Sequence, residues 1–387
     1  MKLQSVLIAS RAVKLELGLV CVAMLSGCSM FSMFGSGPAK PQPAPLQAVS
    51  GVVSARQAWA SRIGPITFPL EVNVSGTSVF VAANDGSVAA IDARTGVDIW
   101  RVNVGAPIAA GVGSDGAIAA VVTQGNEVVA VQAGREIWRQ KLTAQAYTSP
   151  FVAGGRVFVL AADRSVNAFD GQTGRKLWTQ QRPNEPLVLR QSGVILAVGD
   201  TLVVGLAGRL AGLNPSNGSI RWEAPIASPR GINDVERLVD LVGRVGRDGD
   251  VVCARAFQAS VGCVNTARGA LMWTKPANGS QGVHSDDRFV FGTESDGTVL
   301  AWRKVDGERA WTTDNLRYRH LTAPLVVGRS VAIGDSAGIV HLLSRENGAP
   351  LNRLTTDGSA IAAAPALSGS TLIAVTRNGA VYGFVPE

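Results

Sequence analysis

Short apolar runs broken by turn residues fill the chain from about residue 55 to its end. One unit reads Ser149–Gly155, then Arg156–Ala161, then Ser165–Asp170, then Gly174–Trp178. Each run is too short for a helix and alternates or is continuously apolar, which is the pattern of strands. Asp-Gly or Asn-Gly pairs such as Asp85-Gly86, Asp296-Gly297 and Asn378-Gly379 separate the second run from the third. Such residues tolerate the positive φ of tight hairpin turns. A second turn places glycine before the fourth run, as in Arg94-Thr95-Gly96, Gln172-Thr173-Gly174 and Ser216-Asn217-Gly218. The third run is rich in small and branched residues, as a strand covered on both faces should be. Each unit is therefore predicted to be a four-stranded antiparallel sheet.

The units repeat. Trp59, Trp100, Trp138, Trp178, Trp222, Trp273 and Trp311 follow one another at steps of 41, 38, 40, 44, 51 and 38 residues, and from Trp100 onward each stands four residues after a glycine. A further step of 41 reaches Asn352, four residues after Gly348. A period near forty made of short strands predicts an all-β fold, an eight-bladed β-propeller with one blade per repeat. Each Trp opens an outer strand, where its ring can cover the gap to the neighbouring blade and bury roughly 150–250 Å². The last unit ends without an outer strand, and Trp59 has one with no blade before it. The reading that follows is a ring over 55–387 closed by the N-terminal strand completing the C-terminal blade. Trp302, outside the ladder, has no role in this scheme.

The repeat is uneven. Ala133-Gly134 shortens the second unit, and the long steps of 44 and 51 locate insertions near 182–193 and 228–249. Strands of a propeller are committed to packing, so loops of this kind are where a partner surface is expected.

Residues 1–27 read as an export signal: Lys2, Arg11 and Lys14 precede an apolar stretch from Leu17 to Leu25, too short to span a bilayer. Leu25-Ser26-Gly27-Cys28 resembles the lipobox of bacterial lipoproteins, which implies acylation of Cys28. Ser29, rather than aspartate, implies sorting to the outer membrane by the same resemblance. Residues 28–54, with Gly35-Ser36-Gly37-Pro38 and Pro41-Gln42-Pro43-Ala44-Pro45, cannot build a core and read as a tether. Cys253 and Cys263 fall on adjacent strands of one hairpin, where either a disulfide or two buried thiols is open. The net charge of +7, with 17% charged residues and no dense basic run, argues against nucleic-acid binding. The three histidines are scattered, no Cys-x-x-Cys occurs, and no metal or other cofactor is expected.

The lipobox, the Pro-rich tether and the eight units built on Gly-x-x-x-Trp together resemble the BamB family, lipoproteins of the bacterial β-barrel assembly machinery. Leu187-Val188-Leu189-Arg190 is similar to that family's Leu-x-Leu-Arg loop, and Arg237-Leu238-Val239-Asp240 to its Arg-Leu-x-Asp segment. The resemblance implies a non-enzymatic scaffold on the periplasmic side of the outer membrane. It implies contact with the POTRA domains of BamA through Leu187, Leu189, Arg190 and Asp240, with Arg237 in support. Val242 stands where the family usually has a second acidic residue. Unfolded outer-membrane proteins are a further partner class, met by pairing with outer-strand edges. Leu187 and Leu189 could instead be plain core-facing strand residues. Quinoprotein dehydrogenases share similar Trp motifs, but their vicinal Cys-Cys pair is absent here, and Asp85, Asp170 and Asp296 are accounted for by turns. A generic periplasmic or polysaccharide-binding propeller is the third alternative.

Overall fold

The computed structural model describes residues 41–49, 51, 53–181, 187–229 and 238–387. The signal segment, Cys28 and Arg237 lie outside these residues. Pro43–Glu387 forms one compact unit. Every regular element among the described residues is a strand, and the strands form eight four-stranded antiparallel sheets. Blades 1–7 follow one another along the chain over 73–103, 108–141, 151–180, 195–225, 241–276, 283–313 and 325–355, each a simple meander. Blade 8 is built from Ala366–Ser368, Thr371–Val375 and Ala380–Pro386, and its outer strand is Ala55–Arg62, paired antiparallel along Ala380–Pro386. The expected ring closure is what the chain does.

The second and third strands of each blade are buried along nearly their whole length, whereas the outer strands alternate with exposed positions. First strands of most neighbouring blades touch one another and so line the axis. This is the burial gradient that sheets stacked around a ring must have, because each blade has two apolar faces and needs a neighbour on both.

The Trp ladder forms the junctions. In the turn before each outer strand of blades 1–7, glycine holds φ between +61° and +76°, a conformation that L side chains resist. The Trp of the preceding blade lies flat against the place where a side chain would begin. A Cβ built on Gly96 would stand 2.5 Å from the Trp59 ring, on Gly174 2.6 Å from Trp138, and on Gly348 2.7 Å from Trp311. The indole N–H then donates to a carbonyl of the same turn: Trp59 to Ala93 (2.8 Å), Trp138 to Gly171 (2.7 Å), Trp273 to Lys304 (2.7 Å) and Trp311 to Arg345 (2.9 Å). The glycine that precedes each Trp in sequence therefore serves the Trp one blade earlier. Within its own blade, each Trp stands opposite a small residue of the third strand: Ala90, Ala130, Ala168, Gly212, Cys263, Ala301 or Gly383.

Asn352 is the exception at every one of these points, and its position explains why. The next blade is the seam, where the chain has ends instead of a turn, and Ala55 stands four residues before Trp59 in place of the usual glycine. There is no glycine turn to receive an indole. Asn352 instead donates its side-chain amide to the carbonyl of Val53, 2.7 Å away, just upstream of the closing strand. Opposite it stands Leu342, which fills the volume that a small residue leaves free elsewhere. Leu342 packs with Leu325, Leu354 and Phe384 in a cluster against which Val53 and Ala55 rest.

The last part of the predicted tether is held against the ring. The Ala44 N–H donates to the carbonyl of Arg317 (2.9 Å), and Gln47 donates its side-chain amide to Asn315 (2.9 Å). Arg319 and Arg353 donate to the carbonyls of Ala44 and Gln47.

At the seam Leu342 stands opposite the position where an indole would have to lie. Asn352→Trp, which restores the repeat consensus, is expected to lower stability by about 1–3 kcal/mol, the usual cost of overpacking. Urea unfolding of the two proteins checks this, and a gain in stability would contradict the packing described.

Candidate partner-binding site

The long loop after blade 3 is fixed to three other parts of the ring. Asp240, in the segment leading into blade 5, accepts the Leu189 backbone N–H on Oδ2 at 3.0 Å. Its Oδ1 accepts the guanidinium of Arg164 at 3.0 Å, and the same guanidinium nitrogen donates to the carbonyl of Leu187 at 3.1 Å. Further along, Gly193 N–H donates to Thr148 Oγ1 (2.9 Å), and Gly243 N–H donates to the carbonyl of Ser192 (2.9 Å). Hydrogen bonds to ionised groups are about twice as strong as neutral ones, so the Asp240 end is the firmest of these ties.

This anchoring decides what the loop shows to solvent. Residues 187–190 belong to no strand, so Leu187 and Leu189 are not core-facing strand residues. Leu187 is 40% exposed. Leu189 is half-buried and lines a small cleft with Tyr147, Val188 and Asp240. Arg190 is exposed, with its guanidinium 5.8 Å from the centre of the Tyr147 ring. An arginine stacked on an aromatic ring beside exposed leucine is a composition that favours protein contact.

The residues singled out in sequence thus divide. Leu187, Leu189 and Arg190 come together on one loop. Asp240 joins them from 51 residues beyond Leu189, with its carboxylate engaged inside the protein. Val242 is 1% exposed, in the strand Leu241–Asp248 and opposite Arg255, so no acidic surface is formed at that position. Sequence reasoning missed Arg164. Its signal was available, because it occupies a hairpin position that four other blades give to glycine and blade 2 gives to Asn126.

Cys253 and Cys263 are directly opposite in register, buried, and joined as a disulfide. Trp302 is buried beneath Arg255, whose guanidinium lies 5.9 Å from the ring and 3.0 Å from the Glu294 carboxylate. Burial pulls the Arg255 pKa down, and Glu294 pulls it back up.

The ring axis is crossed by a side chain. Arg244, from the first strand of blade 5, donates to the carbonyl of Pro365, just ahead of blade 8, at 2.7 Å and comes within 4.0 Å of the Glu71 carboxylate ahead of blade 1. His284 lies nearby and accepts the Val326 N–H on Nδ1 at 3.3 Å, so that nitrogen carries no proton. Burial, and then the charge of Arg244, lower the His284 pKa to about 3. Among the described residues no group of three or more His, Cys, Asp or Glu side chains converges as metal ligands.

Four likenesses to known proteins are found. The family model described as "Outer membrane protein assembly factor BamB" matches residues 84–313. The outer membrane protein assembly factor BamB of Burkholderia pseudomallei is 37% identical over 353 residues, covering 90% of this chain and 93% of that protein. The crystal structure of BamB from Moraxella catarrhalis superimposes with a TM-score of 0.78 at 22% identity, over 86% of this chain and 100% of that one. Quinohemoprotein alcohol dehydrogenase from Comamonas testosteroni superimposes with a TM-score of 0.66 at 15% identity, over 87% of this chain and 77% of that one, a likeness of fold alone.

The axial histidine sets a pH dependence. Unfolded histidine protonates near 6.5 while His284 in the native ring stays neutral down to about 3, so the unfolded state binds the extra proton in that window. Stability is therefore expected to fall as pH drops from about 6.5 toward about 3 and to be unaffected by this group above 6.5. Urea midpoints measured across that range should show a flatter profile for His284→Asn. Parallel profiles for the two proteins would contradict the assignment.

Proposed function

The chain belongs to the BamB family of outer membrane protein assembly factors, and we propose that it works there as a lipid-anchored, non-enzymatic scaffold. In this reading Cys28 carries the acyl chains, residues from Ser29 form the tether, and the propeller faces the periplasm. The partner is BamA, met at its POTRA domains by Leu187, Leu189 and Arg190, with Arg237 and Asp240 in support. Unfolded outer-membrane proteins are the further class of partner.

The observation that carries the reading is the anchored loop. A scaffold needs a surface that is apolar enough to bind and rigid enough to do so without a large ordering cost. Leu187 and Arg190 are exposed on a segment whose backbone is tied to Asp240 and Arg164. The two long repeats thereby supply one contiguous surface, since Leu189 and Asp240 come from different insertions and meet at 3.0 Å.

The non-enzymatic part is supported by the axis. Quinoprotein dehydrogenases hold their cofactor on the ring axis. Here Arg244 reaches across that space to the far side of the ring and is bonded to backbone there.

Co-purification with BamA from membranes tests the contact. The Leu187→Ala/Arg190→Ala variant is expected to recover BamA at less than about a tenth of the wild-type level, since truncating central interface residues costs 2 kcal/mol or more. Equal recovery would remove this loop from the interface.

A further inference from the structure

We infer that Arg164 is a positioning residue, a clamp that orders the Leu187–Arg190 loop before any partner arrives. The inference rests on the proposed BamA contact for its purpose, but its structural argument is independent of it.

Arg164 sits in the blade 3 hairpin between Arg156–Leu160 and Val166–Asp170. Its N–H donates to the carbonyl of Ala161 at 2.9 Å, closing a four-residue turn. Blades 1, 6, 7 and 8 close the same turn in the same way with a glycine donor: Gly86 to Ala83, Gly297 to Glu294, Gly338 to Asp335 and Gly379 to Thr376. Blade 2 does so with Asn126, a residue type that tolerates the left-handed region, donating to Thr123. Those glycines have φ between +74° and +92°. Arg164 has φ +60°, a left-handed conformation that a long side chain enters only against steric resistance. A residue that breaks the local rule of its own repeat points to a use for its side chain.

The use is visible. The side chain is 92% buried and the guanidinium bridges two separate segments, the carbonyl of Leu187 and the carboxylate of Asp240. Asp240 in turn receives the Leu189 N–H. Arg164 and Asp240 therefore grip the loop at both residues that flank Val188. A buried ion pair is a weak source of net stability, yet removing one member leaves the other uncompensated. Such a pair is suited to fixing one arrangement of a loop. An ordered loop spends less free energy on immobilisation when it binds.

Arg164→Gly separates this role from a merely structural one, because glycine suits the turn. The full-length variant is expected to remain folded but to melt below the wild type, because glycine relieves the turn while the Asp240 carboxylate loses its cation. Its Leu189 amide should exchange with solvent at least about tenfold faster, and its affinity for the isolated POTRA domains should fall about tenfold, the effect of losing one charge-assisted contact. Asp240→Asn should show the same local release and the same weakening. Wild-type exchange at Leu189 in Arg164→Gly would overturn the clamp. Fast exchange with unchanged affinity, while Leu187→Ala/Arg190→Ala still weakens binding, would overturn its role in recognition. If Leu187→Ala/Arg190→Ala binds normally and Arg164→Gly still releases Leu189, the clamp holds and the proposed BamA contact fails.

Discussion

Every other feature of this molecule depends on how one blade meets the next. A four-stranded blade is apolar on both faces and cannot bury either alone. The contact that joins neighbours pairs an indole on one outer strand with a glycine turn on the next. The glycine contributes a missing side chain and a left-handed turn, and the Trp contributes area and one hydrogen bond to the turn carbonyl. Removing such a ring to alanine would cost about 3–5 kcal/mol by loss of burial and the cavity left behind. The third-strand residue opposite must be small for the ring to lie flat, so the contact constrains three positions at once. The seam shows the constraint by its exception: where the turn is absent, the glycine, the indole and the small residue are absent together.

Strands fixed in this way leave function to the loops. Two of them, after blade 3 and before blade 5, meet through Asp240 and Arg164 and form a surface that neither forms alone. The axis is occupied from within by Arg244.

The fold was legible in sequence because its determinants are local and repeated. Turn glycines, alternating runs and the forty-residue step each report on a nearest neighbour, and the unmatched Trp59 marked the closure. The site was legible in part. Leu187, Leu189 and Arg190 lie together in sequence, and the uneven steps located their loop. The meeting of Arg164 with Asp240 spans 76 residues and three blades, so no local pattern reports it. Val242 stood out as a departure from the family pattern, but only burial showed that the position faces the core. Asn352 was legible as a lapse; its meaning required Val53 and Leu342, which come from opposite ends of the chain and from its own blade. Ala44 and Gln47 lie in a stretch with the composition of a linker, and their attachment to Asn315, Arg317, Arg319 and Arg353 is made largely through backbone groups that composition does not reveal.

The ring closes through Ala55–Arg62 as firmly as through any continuous junction. Native-state hydrogen exchange of the indole N–H protons tests it most directly. The Trp59 proton at the seam should exchange with the same free energy as those of Trp138, Trp273 and Trp311, equal to that of global unfolding. Exchange of Trp59 through a lower-energy opening, with the other indoles still protected, would contradict the account.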